Sequence, residues 1–516
     1  MYDRRHVLRG AAAMGLGTMF MGGVAWSRPT TPVRAILPSA THDTLGVKVL
    51  LDTPPSSAPV LKINGRAVAA RKMDADGYSW GFVQSGLSAG KPHELALADE
   101  RGKALRAPWQ LKTLPPPDSA PDHFRVLFFT CAGGDEAGGP DGYLPVTVRR
   151  ALFDRALSFS PDLAVANGDH VYWDLDTALK YRRDPVRRAQ TEELYRKIAW
   201  IDQDLAFDSE TNRRSVNTVA ARQIASIYED RFASVPLIFI TDDHDYYEND
   251  NAGTWGYSLP PRPFIFGLQQ QTQALAYPIA LGRPDWGNAY EAGTVETLKI
   301  GKLLDLAFFD CRRGWSTGPN AGVLFPKAEE FLLNHIRNST AQQYFHVPSN
   351  PFGWTAGKLG EWYADGPSES SAFHNDKGYW QQGWFEQHQR LAAALGAQRG
   401  RAGISISGDM HASAISKISR SGDIDLSANP IHTILPGTIG TATQGFPSTV
   451  RGVFPWHPSA LESEDVAKIE ERNGFSIVDV YPDRVTVKQF RWRPPEPVAA
   501  IASLEPYASY TINRPA

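Results

Sequence analysis

The segment VPLIFITDDHD, Val235–Asp245, joins an apolar run to a cluster of acidic residues. The run has the length and composition of a strand that is buried on both faces of a sheet. It ends in two aspartates, a histidine and a third aspartate. Adjacent carboxylates repel one another and resist burial unless a cation lies between them. The segment therefore predicts a buried strand that ends at a cation-binding site.

Three other apolar runs end in residues of the same kind. FRVLFFTC ends at Cys131, PDLAVANGD ends at Asp169, and AGISISGD ends at Asp409, with His411 two residues later. In an open α/β sheet the carboxyl ends of the strands line one crevice. We therefore expect these side chains to converge with those that follow Ile240.

The chain of 516 residues exceeds the usual limit of a single hydrophobic core, which favours two domains. Residues 28–117 contain short strand-like runs separated by turns such as ING and DADG, which predicts a small all-β sandwich of the immunoglobulin or fibronectin kind. Residues 118–493 alternate buried strands with helical segments, which predicts an α/β catalytic domain of layered sheets and helices. Residues 494–516 are a Pro-rich C-terminal tail to which no role is assigned.

Residues 1–27 have the features of a twin-arginine signal peptide. Arg4 and Arg5 precede an uncharged Gly/Ala-rich stretch, and Ala25-Trp26-Ser27 is an acceptable cleavage site. We expect the export machinery of that route to be a partner and the mature protein to be periplasmic or secreted. A general secretory signal or a retained anchor remains the alternative.

The bulk composition excludes some partners and leaves the state of the cysteines open. A net charge of -3, with 42% hydrophobic and 21% charged residues, carries no signature of sequence-specific nucleic-acid binding. We expect no stable membrane insertion of the mature chain. Cys131 and Cys311 each end an apolar run, so a disulfide and two free thiols are both possible.

The order of these motifs resembles the alkaline phosphatase D (PhoD-like) family of calcineurin-like metallophosphoesterases. That family has Ser-Cys, G-D-x-x-Y, W-D-D-H-E and G-D-x-H in this order. The corresponding segments here are Thr130-Cys131, Gly168-Asp169-His170-Val171-Tyr172, Thr241-Asp242-Asp243-His244-Asp245 and Gly408-Asp409-Met410-His411. Thr241, Asp245 and Trp173 depart from the family's usual Trp, Glu and Glu, which leaves substrate preference open.

The residue types favour two metal sites that share Asp169, because one carboxylate can bridge two cations. Cys131, Tyr172 and His411 suit a Lewis-acidic transition metal at the first site, with Fe(III) favoured by the phenolate and Zn²⁺ as the alternative. Asp243 and Asp409 suit an oxygen-loving ion at the second site: Ca²⁺, or else Mn²⁺ or Mg²⁺. Asp242 and Asp245 could be ligands or could support the ligands.

The resemblance implies an exported hydrolase of phosphoric esters whose dinuclear centre activates water for attack on phosphorus. We expect His244 to hold a phosphate oxygen or protonate the leaving group, and Arg312 to clamp the phosphate. A phosphodiesterase or phospholipase D-like hydrolase is one alternative, and a catalytically inactive phosphate-binding metal protein is another. The substrates are expected to be small phosphoesters or phosphodiesters.

Overall fold

The computed structural model describes residues 32–515, apart from 139–141, 176–184, 250–251, 254–255, 258, 319, 358–360, 364–380 and 451. Pro32–Ala516 form one compact unit. The predicted signal peptide, residues 1–27, lies outside the described residues.

The N-terminal part of the chain is all-β, as the turn pattern predicts. It contains two antiparallel four-stranded sheets, with strand orders β1-β2-β6-β5 and β4-β3-β7-β8. The strands are β1 Val33–Ala40, β2 Leu45–Leu51, β3 Val60–Ile63, β4 Arg66–Val68, β5 Ala70–Lys72, β6 Ser79–Gln84, β7 Pro92–Ala98 and β8 Trp109–Lys112. The Nζ atom of Lys48 donates to the carbonyl oxygens of Gln273 and Ala274, both at 2.7 Å, and so ties this part to the rest of the chain.

Two further sheets form the centre of the α/β part. One has the order β11-β10-β9-β22-β23-β24, and the other has the order β14-β15-β16-β17-β20-β18-β19, with β21 paired to β18. Their strands are β9 Phe124–Phe129, β10 Leu163–Asn167, β11 Leu237–Ile240, β14 Val295–Ile300, β15 Leu304–Phe309, β16 Gln343–Pro348, β17 Gly403–Ile406, β18 Ser413–Ser421, β19 Ile424–Asp425, β20 Ile431–Pro436, β21 Leu461–Glu470, β22 Asn473–Val480, β23 Arg484–Trp492 and β24 Ala508–Asn513. The short strands β12 Ala252–Gly253 and β13 Gly256–Tyr257 pair with each other in a separate two-stranded sheet. Strands β9, β10 and β11 run parallel, as do β15, β16, β17 and β20.

Alternate residues of the central strands belong to different cores. In β9, Val126 and Phe128 lie in one apolar cluster, whereas Leu127 and Phe129 lie in the other. The cluster of Val126 also contains Leu306 of β15, so it includes the contact between the two sheets. The other cluster contains apolar side chains of the helices that pack on the sheets. Strands buried on both faces read as continuous apolar runs, which is the pattern that predicts this layered α/β fold.

The helices cover the outer faces of the sheets. They are α1 Val146–Leu157, α2 Pro185–Ile198, α3 Glu210–Ala220, α4 Ser226–Tyr228, α5 Pro263–Ala276, α6 Ala289–Ala292, α7 Pro326–Asn338, α8 Gln382–Gly396 and α9 Pro447–Val450, together with a π-turn at Ala221–Ala225 and 3-10 turns at Glu136–Gly138, His244–Tyr246, Thr443–Gly445 and Val498–Ser503. Within the described part of the chain, no helix has both the length and the apolar character needed to cross a bilayer.

The C-terminal segment adds a strand to the six-stranded sheet. Strand β24 pairs antiparallel with β23, and Thr511 lies opposite Thr486. The segment from residue 494 thus extends the sheet rather than lying apart from it. The domain boundaries at residues 117 and 493 stay predictions.

Candidate metal centre

The structure brings the six predicted metal ligands together. They follow β9, β10 and β11 of one sheet and β17 of the other, so the carboxyl ends of both sheets meet at one place. These residues are Cys131, Asp169, Tyr172, Asp243, Asp409 and His411. Their convergence is what the strand-end pattern predicts, since parallel strands present their carboxyl ends along one edge.

Three of these residues have a left-handed backbone. The φ angle is 52° at Cys131, 59° at Asp169 and 64° at Asp409. This conformation is uncommon for residues other than glycine and costs on the order of 1–3 kcal/mol at each position. Each of them lies at the end of a strand, where the chain turns out of the sheet. Such outliers concentrate at functional sites, where the surrounding structure maintains them.

One side of the centre combines a thiol, a phenol and an imidazole around a carboxylate. Oδ2 of Asp169 lies 3.3 Å from Sγ of Cys131 and accepts a hydrogen bond of 2.8 Å from the Tyr172 hydroxyl. The same hydroxyl lies 2.9 Å from Nε2 of His411. Nδ1 of His411 lies 2.6 Å from the carbonyl oxygen of Gly445, which assigns its proton to Nδ1 and directs the Nε2 lone pair at the cluster. This donor set suits a transition metal.

The other side of the centre is a cluster of carboxylates. Asp169, Asp242, Asp243 and Asp409 each offer an oxygen atom, and these atoms lie within 4.8 Å of one another. The four residues have exposures between 0% and 6%. Oδ1 of Asp169 is buried and has no hydrogen-bond partner among the described residues. Asp169 thus belongs to both donor groups and has an oxygen without a hydrogen-bond partner among the described residues, as a shared ligand would.

The electrostatics of the cluster demand cations. Burial is the main cause that raises the pKa of Asp169 to about 8; the charge of His244 opposes this shift, and the charges of Asp243 and Asp409 add to it. Burial also raises the pKa of Asp242 well above its ordinary value, although Arg312 opposes the shift. Carboxylates this close cannot all ionise at neutral pH unless positive charge lies among them. The residues present therefore fit two metal ions.

Arg312 pairs with two carboxylates of the centre. It has no exposed surface, and its Nε donates to Oδ1 of Asp242 at 2.6 Å. Its Nη2 lies 3.2 Å from Oδ2 of Asp409. Arg312 therefore balances carboxylate charge at the site. Its contact with phosphate stays a prediction.

His244 faces the pocket and is held by a carboxylate. Its Nδ1 lies 2.7 Å from Oδ1 of Asp174, and its ring packs 4.1 Å from that of Tyr172. Burial lowers the pKa of His244, but the charges of Asp174 and Asp243 outweigh burial and raise it to about 10. Bound cations would offset the charge of Asp243 and reduce this shift. Since Nδ1 is engaged by Asp174, Nε2 is the atom left for a ligand or a substrate.

A pocket of about 270 Å³ opens over the centre. Its lining includes Asp169, His244 and His411, together with Asn249. His170, the neighbour of the shared aspartate, turns away from it. The His170 ring stacks on Phe239 at 4.0 Å, and its Nε2 lies 3.0 Å from the carbonyl oxygen of Ile240.

Comparison with solved structures identifies the fold. The structure of PhoD superposes with a TM-score of 0.62 at 14% identity, covering 94% of this chain and 91% of that one. The purple acid phosphatase PPD1 from yellow lupin (Lupinus luteus) seeds superposes with a TM-score of 0.55 at 12% identity, covering 93% and 74% of the two chains. The chain has the PhoD fold. No family model and no curated protein sequence matches it.

In this PhoD fold, a buried carboxylate whose role the motifs left open, that of Asp245, links two loops of the centre. Asp245 accepts hydrogen bonds from the backbone N–H groups of Asp169 at 3.0 Å and Asp242 at 2.9 Å. It also accepts from those of His170 at 2.7 Å and Val171 at 3.2 Å. Asp245 therefore joins the loop after β10 to the loop after β11. Its place in TDDHD is the only signal in the sequence, because three of its four partners, those in the loop after β10, lie 74–76 residues away along the chain.

Two other residues of the candidate centre had no signal in the sequence. Oε1 of Gln223 accepts from the N–H groups of Gly134 at 2.9 Å and Tyr172 at 2.6 Å. The Arg149 guanidinium, fully buried, donates to the carbonyl oxygens of Gly133 and Gly134, both at 2.8 Å. Both residues lie in helical segments with an ordinary sequence, and only the packing of those segments brings them to the site.

Cys131 and Cys311 are both free and buried. The two residues therefore do not form a disulfide with each other in this structure. Burial and the charge of Asp169 raise the pKa of the Cys131 thiol well above its ordinary value. A thiolate at this position thus requires a cation next to it, which is the state that a metal ligand adopts.

Proposed function

We propose that this chain is a metal-dependent hydrolase of phosphoric esters. The observation that carries the proposal is the position of Asp169 between two unlike donor sets. Its Oδ2 lies beside Cys131 and Tyr172, its Oδ1 is buried without a hydrogen-bond partner among the described residues, and Asp169 also belongs to the carboxylate cluster. This arrangement fits a dinuclear centre at the base of an open pocket.

The chain's own residues have separate roles in the proposed reaction. Asp169, with the residues on either side of it, would hold two cations, which supply Lewis acidity, an activated water and compensation of charge on the phosphoryl oxygens. Asp174 orients the His244 imidazole through Nδ1. Nε2 of His244 then donates a proton to the leaving oxygen or a hydrogen bond to a phosphoryl oxygen. Arg312 stabilises the carboxylates.

The donor sets support different metals on the two sides. We propose Fe(III), with Zn²⁺ as the alternative, for the side of Cys131, Tyr172 and His411, and Ca²⁺, with Mn²⁺ or Mg²⁺ as alternatives, for the carboxylate side. A phenolate bound to Fe(III) absorbs visible light, so purified protein should be coloured and Tyr172→Phe should lose the colour. A colourless active protein that contains zinc by elemental analysis would reject iron.

The choice between monoesters and diesters requires a direct assay. Hydrolysis of 4-nitrophenyl phosphate and of bis(4-nitrophenyl) phosphate should be compared with and without chelator. The proposal predicts chelator-sensitive turnover of at least one ester. A clear preference for the diester would favour the phosphodiesterase or phospholipase D-like alternative. Metal binding without turnover of either ester would favour the inactive phosphate-binding alternative.

We also propose export by the twin-arginine route to the periplasm or the medium. The proposal rests on the Arg4-Arg5 pair and the apolar stretch after it, which belong to the undescribed residues. Replacement of both arginines by lysine should retain the precursor in the cytoplasm, as measured by cell fractionation. Continued export of this variant would indicate another route.

A further inference from the structure

A second concave site lies at the other end of the strands in the eight-stranded sheet, on the side where the parallel strands begin. It is a groove of about 770 Å³ between helices α7 and α8. The groove borders residues 339–341, just before β16, and Arg401, just before β17. The metal centre lies at the carboxyl ends of the strands, whereas this groove lies where they begin. The two sites are therefore separated by the length of the strands.

The groove is lined by arginines without acidic residues. Its described lining contains no Asp or Glu, although the whole chain has 56 acidic and 53 basic residues. The arginines of the lining are Arg337, Arg390, Arg399, Arg401 and Arg514. A local charge excess of this kind is not a consequence of composition.

Two of the five arginines have structural partners. Arg401 is buried and donates through Nη1 to the carbonyl oxygen of Ser339 at 2.9 Å and through Nη2 to that of Ile336 at 3.2 Å. It therefore satisfies the carboxyl end of α7. Arg390 is paired with Glu329, with Nη2 at 3.1 Å from Oε2. Both side chains thus have partners within the protein, although that of Arg390 is half exposed.

The other three arginines are exposed and lack a carboxylate partner within the described part of the chain. Arg514 is placed by its backbone N–H, which donates to the carbonyl oxygen of Asp483 at 2.8 Å, and its Nε donates to the carbonyl oxygen of Gly400. Arg337 lies in the last turn of α7, where its charge complements the helix dipole. Arg399 and Arg514 lie outside both helices, so the helix dipole does not account for them.

We infer that this groove binds a polyvalent oxoanion, a small molecule that carries two or more phosphate or sulfate groups. A guanidinium presents a planar fork of donors that matches the oxygens of such groups. The volume of about 770 Å³ lies within the range of roughly 300–1,000 Å³ that is typical of small-ligand pockets. Several separate guanidiniums around it suit several anionic groups on one ligand.

The test is calorimetric titration of the metal-loaded protein. Sucrose octasulfate probes sulfate groups and methylenediphosphonate probes phosphoryl groups, and neither is a phosphoester. We expect binding of at least one probe at one per chain. The double variant Arg337→Ala/Arg399→Ala should bind it at least about tenfold more weakly, because each lost charge-assisted hydrogen bond corresponds to roughly tenfold in affinity.

The matched control is Arg71→Ala, which removes an exposed arginine from the N-terminal sheets. It should leave binding unchanged, and Arg399→Lys, which keeps the charge but loses the fork, should bind with intermediate affinity. The inference fails if the double variant, folded by circular dichroism, binds like the wild type, or if Arg71→Ala weakens binding equally. It also fails if the probe competes with 4-nitrophenyl phosphate, since it then occupies the metal centre. Binding is measured without turnover, so this result stands apart from the proposed hydrolase activity.

Discussion

The two ends of the strands in the eight-stranded sheet carry opposite imbalances of charge. The end at which the parallel strands finish is called the carboxyl edge here, and the end at which they begin is called the amino edge. At the carboxyl edge, buried carboxylates outnumber the cationic side chains that face them, and Arg312 offsets only Asp242 and Asp409. At the amino edge, exposed arginines surround a groove without lining carboxylates among the described residues. The first imbalance is buried, where an unpaired charge is very costly, and the second is solvated, where the cost is small. Bound cations are therefore needed to stabilise the charged carboxylates at the carboxyl edge, whereas the arginines at the amino edge are stable in water without a bound anion.

The largest expected effect is that of Asp169→Asn at the carboxyl edge. This change removes the charge shared by both sides of the centre, so both metal content and phosphoesterase activity should fall, the activity by roughly 10³-fold or more, because metal ions contribute several kcal/mol to such reactions. Elemental analysis and aryl phosphate assays measure the two quantities. Asp208→Asn, at an exposed position, is the control and should change neither. Full metal content in Asp169→Asn would contradict the bridging role.

His244→Ala tests whether the pocket-facing histidine acts in catalysis or as a ligand. Metal content should stay nearly intact while turnover falls by roughly 10²–10⁴-fold, the range for general acid–base catalysis. The fall should be larger for alkyl than for nitrophenyl phosphates, because poor leaving groups need protonation. Asp174→Asn should give a smaller loss of the same kind. An equal loss for all leaving groups would assign His244 to phosphate positioning, and a loss of metal would make it a ligand.

The two cysteines provide a matched pair for the transition-metal side. Cys131→Ala should lower iron or zinc content together with activity, because Sγ of Cys131 lies beside Asp169. Cys311→Ala removes an equally buried thiol outside the predicted ligand set and should keep both. Metal analysis of the two variants decides the matter. Equal metal content in both would exclude Cys131 as a ligand.

The metal-free protein should lose stability as the pH rises. In the folded state the pKa of Asp169 is about 8, above its value of about 3.9 in an unfolded chain. The folded state then binds the extra proton between these values, so the free energy of unfolding should fall by up to about 1.4 kcal/mol per pH unit from pH 4 to pH 8. Denaturant titrations of chelated protein measure this slope. Added metal should remove it, and a chelated protein without the slope would contradict the charge imbalance.

The smallest effect is expected at the amino edge. Arg337→Ala and Arg399→Ala should change the free energy of unfolding by less than about 0.5 kcal/mol in the absence of polyvalent anions, since exposed side chains away from special features contribute little. Thermal unfolding at low salt measures this. A loss of several kcal/mol would show that these arginines support the fold, and the comparison between the edges would fail.

The buried strands, the order of the motifs and the donor types at the strand ends could all be predicted from local sequence. A run such as Leu237–Ile240 is apolar throughout because both of its faces are buried, and this local property is legible without a structure. The donor types at Cys131, Asp169 and His411 are also local. For the same reason the resemblance in motif order correctly predicted the fold.

The groups that these residues contact depend on the packing of the whole fold. Arg312 is buried against Asp242, 70 residues away in the sequence, a pairing that no local pattern indicates. Asp245 accepts hydrogen bonds from two loops because the fold brings those loops together. Packing of distant segments likewise places Arg337, Arg399 and Arg514 around one groove. Side-chain periodicity is set by nearest neighbours along the chain, whereas these contacts are set by strand register and layer packing, which join residues distant in sequence.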